Sequence, residues 1–259
     1  AYHIAGEVLH ELGAEVIAIG NAPDGENINA GVGALHPESL GRKVVEVGAD
    51  LGVALDGDAD RLVMVDAQGV PYDGDQVLNA IVLDRLRDGP VAGVVGTLMS
   101  NMALERAMAE AGVPFKRAKV GDRYVMELLA AEGWLYGGEN SGHILALDCH
   151  TTGDGLVSAL QVLMALKRSG GTLAELLGAL RLYPQTMINV PVSAGFDWQQ
   201  HAPVKQAVVE AERRLGKLGR VLLRPSGTEP VLRVMVEAEE ASVSRAEAEG
   251  IATIVRSVV

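Results

Sequence analysis

The chain has 259 residues, 48% of them hydrophobic but only 3% aromatic, and a formal net charge of −12. That length holds two or three small domains with aliphatic cores, and the composition excludes disorder. The acidic balance argues against a nucleic-acid partner, and the single cysteine, Cys149, excludes a disulfide framework and a cysteine-based zinc site.

In chain order, residues 3–12 read as an amphipathic helix ending at Gly13, and "AEVIAIG" (14–20) as a strand. A loop rich in Asn, Gly, Pro and Asp follows (21–33), then a helix over 36–49 with Pro37 in its first turn. "LGVAL" (51–55) and "RLVMVD" (61–66) read as strands on either side of "DGDAD". Next come a helix in "DQVLNAIVLDRLRD", a strand in "VAGVVGTL", a helix in "NMALERAMAEAG", a strand in "PFKRAKV" and a helix in "DRYVMELLAAEG". "WLYGGENSGHILAL" predicts two short strands around a glycine turn, and "GDGLVSALQVLMALKRSG" a long helix. Strands alternating with helices at this spacing predict a mainly parallel sheet.

After "LYPQT" (182–186) the order changes to strand, helix, two strands and helix, which predicts a small α+β domain with antiparallel pairing. The expected fold class is therefore α/β: two α/β domains with mixed, mainly parallel sheets, followed by a small α+β C-terminal domain. The expected boundaries are 1–72, 73–182 and 183–259. No apolar run is long enough for a membrane span and no signal peptide is visible, so the expectation is a cytoplasmic protein without a membrane partner. The chain opens directly on a helical pattern, which leads us to expect that it is a piece of a longer protein.

Three loops carry polar chemistry. Asp56, Asp58 and Asp60 alternate at a strand end, and a turn there would converge all three on one point. Carboxylates that close do not all stay ionised without a cation. Hard oxygen ligands select Mg²⁺, Ca²⁺ or Mn²⁺. An EF-hand is rejected, because its glycine and glutamate positions hold Arg61 and Ala67. Three carboxylates leave an octahedral ion short of ligands, which suits Mg²⁺ completed by water or phosphate. Arg61 is placed to grip a phosphate oxygen. The competing reading is a solvated Asp-rich turn.

"GGENSGHI" (137–144) gathers Glu139, Asn140, Ser141 and His143 on a glycine turn, a composition suited to adjacent sugar hydroxyls. His143 could serve as acid or base. An ordinary β-turn with an incidental histidine stays open beside that reading. "RPSGTEP" (224–230) offers Arg224, Ser226, Gly227 and Thr228, with Arg233 on the next strand. This is the composition of an anion nest closed by arginine, or else of a polar hairpin loop. Lys116, Arg117, Lys119 and Arg123 form the densest basic run; most such runs are solvated faces, though Lys119 or Arg123 beside Gly121 could reach a cleft. "TTGDG" (151–155) reads as a structural helix cap through Thr152 or Asp154.

DGDADR, GGENSGH and RPSGTEP, in this order in three successive units, resemble the α-D-phosphohexomutase family over essentially the whole chain. "HPESL", "VGDRYVMELL", "TTGDGLVSALQVL" and "YPQTMINVPV" are similar to its amino-sugar branch. The resemblance implies that Asp56, Asp58 and Asp60 bind Mg²⁺ and that Arg61 lies beside the transferred phosphoryl group. It implies Glu139, Asn140 and Ser141 on sugar hydroxyls with His143 near them. Arg224, Ser226, Gly227, Thr228 and Arg233 would hold the non-reacting phosphate, and Arg123 would be a further catalytic group. The implied reaction interconverts glucosamine 6-phosphate and glucosamine 1-phosphate through a phosphoserine and a 1,6-bisphosphate. It would serve UDP-N-acetylglucosamine and cell-wall precursor synthesis. The implied partner is a hexosamine phosphate, and a homodimer is compatible with the resemblance. The family's serine loop, typically TASHNP, is not in these 259 residues; Ser100 in "TLMSNM" lacks its pattern. Two alternatives stand: a phosphomannomutase or phosphoglucomutase, and a non-catalytic sugar-phosphate-binding protein.

Overall fold

A computed structural model describes residues 1–193, 195–226 and 229–259. The chain divides into two compact units, Ala1–Ser100 with Leu104–Arg181, and Asn101–Ala103 with Leu182–Val259.

The first unit opens with α1 (Ile4–Glu11), which buries none of its residues. The expected strand at 14–20 does not form. A strand exists only as one side of a hydrogen-bonded ladder, and no described strand pairs with this segment; Val16 and Ile17 stay exposed. After α2 (Glu38–Val47), β1 (Leu51–Leu55), β2 (Leu62–Asp66) and β3 (Pro71–Tyr72) make a three-stranded antiparallel sheet in sequence order. All five residues of β2 are buried, as expected of a central strand covered on both faces.

α3 (Gly74–Arg85) follows, with ten of its twelve residues buried. It starts at a capping box in which the Asp73 carboxylate accepts the N–H groups of Asp75 and Gln76 while Gln76 returns a bond to Asp73 N–H. Gln76 also donates to the carbonyls of Leu177 and Leu180, at 3.4 and 3.0 Å. It thereby ties α3 to the short α7 (Leu173–Leu177), an element the sequence pattern did not disclose.

The second sheet combines β4 (Val94–Thr97), β5 (Phe115–Ala118), β6 (Tyr136–Gly138) and β7 (Ile144–Ala146) in the order β5-β4-β6-β7. β4 is parallel to β5 and β6, and β7 closes an antiparallel hairpin with β6. The parallel pairs are confined to this sheet, because α4 (Met102–Glu110) and α5 (Asp122–Glu132) supply the crossovers that parallel pairing needs. β1, β2 and β3 are joined by short turns instead. α6 (Gly155–Ser169) starts at Asp154, whose carboxylate accepts Val157 N–H at 2.9 Å.

In the second unit, β8 (Gln185–Pro191), β9 (Gly219–Pro225) and β10 (Val231–Ala238) form an antiparallel sheet in the order β8-β10-β9. α8 (Ala202–Leu215) and α9 (Ala241–Arg256) pack on it around a core that includes Val190, Val204, Leu232, Val234 and Ile251. Glu237, fully buried, is neutralised by Arg220 at 2.6 and 3.0 Å. The fold class is mixed α/β with a small antiparallel C-terminal sheet.

Candidate active site

The aspartate loop leaves β1 and returns as β2. Ala59, between the second and third aspartates, adopts a left-handed conformation (φ 61°). For a residue with a Cβ this costs roughly 1–2 kcal/mol. Two backbone bonds hold it there: Ala59 N–H to Asp56 O (3.1 Å) and Gly155 N–H to Ala59 O (2.8 Å). The turn brings one carboxylate oxygen each from Asp56, Asp58 and Asp60 within 4.8 Å of one another.

That donor set fits a hard divalent cation: three like charges converge and the side chains are all-oxygen. The Asp56 side chain is only 4% exposed. Burial, together with the neighbouring Asp60 and Asp58, pushes its carboxyl above the usual range against the Arg61 N–H that it accepts. For Asp60 burial also works upward, but the hydrogen bond and charge of His143, aided by Asp56 and Arg61, bring its carboxyl below the usual range.

The glycine-rich loop is the turn of the β6–β7 hairpin, closed by Gly142 N–H to Glu139 O (3.0 Å) and Glu139 N–H to His143 O (2.9 Å). It is stitched directly onto the aspartate loop. Arg61 and His143 form an isolated antiparallel bridge, and Leu62 N–H donates to Gly142 O at 3.1 Å. His143 Nδ1 lies 2.8 Å from Asp60 Oδ2. Gly142 has φ +98°, and a Cβ there would lie 2.2 Å from Leu62 O, so glycine is required for this approach.

These contacts enclose a pocket of about 370 Å³ lined by Asp60, Arg61, Glu139, Asn140, Ser141 and His143, together with Val120, Gly121 and Asp122. Five of the residues singled out for sugar and phosphoryl contact in the sequence thus share one cavity with a member of the aspartate triad. Arg61 reaches it with Nε 3.7 Å from Asp56 Oδ2 and without a hydrogen-bond partner at that nitrogen. Glu139 is oriented by Gly121 N–H at 2.9 Å.

Arg123 is not among the lining side chains. It stands on the exposed side of α5, paired with Glu127 at 2.8 Å, and that pairing holds its guanidinium above its ordinary range. The rest of the basic run is also engaged elsewhere: Lys116 with Glu132 and the Trp134 ring, Arg117 with Glu105, and Lys119 over the Tyr124 ring. What this segment contributes to the pocket is Val120, Gly121 and Asp122. The composition of the run pointed to charge and so hid this.

"TTGDG" has a second part beyond capping. A Cβ at Gly153 would fall 2.2 Å from His143 Nε2, and one at Gly155 would fall 2.9 Å from Arg61 O. Both glycines back the site. The paired glycines were the signal available in the sequence.

In the second unit, Arg224 and Arg233 are cross-strand partners in β9 and β10. Like charges directly opposite on one sheet face are destabilising, and both Nε atoms are buried without a hydrogen-bond partner. Arg233 also approaches Ser226 Oγ at 3.4 Å, and Ser226 N–H donates to Val231 O at 2.9 Å. Gly227 and Thr228 lie outside the described residues. Two arginines with unsatisfied Nε atoms beside a serine, with Arg233 also 3.7 Å from Glu229 Oε2, form a positively charged arrangement of the kind that suits an anion.

Known proteins bear on this geometry. The chain matches the family models for phosphoglucomutase/phosphomannomutase α/β/α domain II over residues 1–69, α/β/α domain III over 73–183 and the C-terminal domain over 187–254. It is 62% identical over 256 residues to a phosphoglucosamine mutase of Dechloromonas aromatica and 61% identical over 252 residues to one of Bordetella pertussis. These alignments cover 99% and 97% of this chain but 57% and 56% of those proteins. Among solved structures, a phosphoglucomutase/phosphomannomutase family protein of Burkholderia thailandensis matches with TM-score 0.80 at 22% identity, over 99% of this chain and 58% of its own. The Aspergillus fumigatus N-acetylphosphoglucosamine mutase, solved with GlcNAc-6P and magnesium, matches with TM-score 0.75 at 22% identity, over 98% and 60%. Those two likenesses concern the fold. Taken with the three loops and their geometry, the matches establish that the chain belongs to the phosphoglucomutase/phosphomannomutase family.

Proposed function

We propose that this chain carries the metal, sugar and distal-phosphate portions of a phosphoglucosamine mutase, an isomerase that interconverts glucosamine 6-phosphate and glucosamine 1-phosphate through a phosphoserine and a 1,6-bisphosphate. The product would feed UDP-N-acetylglucosamine and cell-wall precursor synthesis. The observation that carries the reading is the single pocket in which Asp60 and Arg61 meet Glu139, Asn140, Ser141 and His143. The names and identities of the relatives support it. In this reading the chain comprises three family domains, at 1–72, 73–182 and 183–259.

Asp56, Asp58 and Asp60 would hold Mg²⁺, which when bound neutralises charge developing on the transferred phosphoryl oxygens. Arg61 adds a second positive group at the same pocket, and its partly exposed guanidinium is the group that would meet a phosphoryl oxygen. Glu139, with one oxygen held by Gly121 N–H, presents the other to sugar hydroxyls, and Asn140 and Ser141 add neutral donors and acceptors. Arg224, Arg233 and Ser226, with Gly227 and Thr228, would grip the phosphate that is not reacting. Charge neutralisation and positioning then account for most of the rate, as phosphoryl transfer requires. Arg123 has no part in this reading, since its side chain points to solvent and pairs with Glu127.

Calorimetry tests the metal assignment. Asp58→Asn is expected to weaken Mg²⁺ binding at least ~10-fold, because one of three charged ligands becomes neutral; unchanged affinity would count against it. A binding panel of glucosamine 6-phosphate, glucose 6-phosphate and mannose 6-phosphate tests the sugar. Preference for the glucosamine ester supports the proposal, and preference for either of the others moves the reading to a phosphoglucomutase or phosphomannomutase.

A further inference from the structure

We infer that His143 is a positioning residue for the metal site: it fixes the carboxylate of Asp60 through Nδ1, and so makes the sugar loop part of the metal-binding apparatus. The inference rests on the metal reading of the aspartate loop and assigns His143 a task other than proton transfer to the sugar.

Four observations carry it. His143 is 5% exposed, so its imidazole has little freedom and little water. Its Nδ1 stands 2.8 Å from Asp60 Oδ2. An ionised carboxylate only accepts, so Nδ1 is the protonated nitrogen of this contact. The opposite edge of the ring is wedged on Gly153, where even a methyl group would fall 2.2 Å from Nε2. The histidine backbone is itself bridged to Arg61, the residue after Asp60, so ring and carboxylate are fixed from both ends.

The consequence is directional. With Oδ2 held by the imidazole, the Asp60 carboxylate is restrained in its rotation about the Cβ–Cγ bond and would meet a cation already oriented. Asp56 is already restrained by burial and by Arg61 N–H. Asp58 is the exposed member of the triad. His143 therefore converts a second aspartate from a mobile ligand to a pre-set one. Partners that orient metal ligands typically contribute 10–100-fold in affinity. They do so by removing the cost of ordering the ligand when the ion binds.

The test is Mg²⁺ calorimetry on the 259-residue chain with His143→Asn, His143→Gln and His143→Leu. An Asn amide reaches the position of Nδ1, so His143→Asn should bind within ~3-fold of the unmodified chain. Gln, which places its donor nearer Nε2, and Leu, which has none, should each weaken binding by ~10-fold or more. Equal affinity for the Asn, Gln and Leu variants would overturn the inference while leaving the metal reading intact. Loss of binding only in Asp58→Asn would do the same. If the unmodified chain binds no divalent ion, the metal reading fails and this inference with it. Should the Leu variant not fold, the comparison of Asn with Gln still decides, since both are polar and of similar size. Gly153→Ala provides a second route: displacing the ring should weaken Mg²⁺ binding, and adding His143→Ala to relieve the clash should restore thermal stability without restoring affinity.

Discussion

Asp73 illustrates how one side chain can be well bonded and still costly. It caps α3 by accepting two backbone N–H groups, yet burial pushes its carboxyl up to about 6, with the bonds from Gln76 and Asp75 offsetting only part. The folded state therefore holds this proton more tightly than the unfolded chain does. Stability from this group is complete below about pH 4 and is lost as pH rises towards 6. The shift corresponds to at most ~3 kcal/mol. Asp73→Asn keeps the capping oxygen and removes the charge. We expect its unfolding free energy in urea to be flatter between pH 4 and pH 6 than that of the unmodified chain; an identical pH profile would refute the assignment. At this scale the sequence was informative about chemistry. Three aspartates at alternate positions, a glutamate and histidine on glycines, and two arginines around a serine each suggested a ligand type. It was silent about orientation. Nothing in "DRYV" tells that Arg123 faces solvent while the N–H of Gly121 reaches Glu139.

Elements set the distances between those residues. The β6–β7 hairpin reaches the aspartate loop because Gly142 lets its backbone touch Leu62. Gly142→Ala is expected to lower stability by about 2 kcal/mol or more, combining left-handed strain of roughly 1–2 kcal/mol with a clash against Leu62 O. It should also weaken Mg²⁺ binding, since the bridge from Arg61 to His143 lies next to it. A thermal melt within 1 °C of the unmodified chain would show that the contact is dispensable. Most elements were readable from periodicity, including both hairpin strands and the long helices. Those misread share a cause. The segment at 14–20 has a strand's composition but no ladder to join, and α7 is held by a capping box and by Gln76 rather than by a long amphipathic pattern. Pairing and distant hydrogen bonds are not properties of a local window.

Over the whole molecule, a net charge of −12 makes the average surface repel phosphate esters. Anion binding must then come from local arginines, and Arg61, Arg224 and Arg233 each carry a buried Nε without a hydrogen-bond partner. Among the described residues no helix is long and apolar enough to cross a membrane. The family's phosphoserine motif is not found in these 259 residues. The expected outcome for the chain assayed alone is Mg²⁺ and sugar-phosphate binding without turnover. Formation of glucosamine 1-phosphate by the purified 259-residue chain, in a coupled assay, would show that the phosphoserine is not needed.

The sequence by itself determined the family, the α/β class and the residue types that each loop presents, because these depend on residue type and on short-range periodicity. Only the tertiary structure decided that the aspartate loop and the glycine hairpin form one pocket, that His143 is committed to Asp60, and that Arg123 is not in it. Those facts depend on close approaches of Gly142 to the backbone of Leu62 and of Gly155 to that of Arg61, and on the contact of His143 with Asp60, all between segments far apart in the chain, and no local pattern encodes such a meeting.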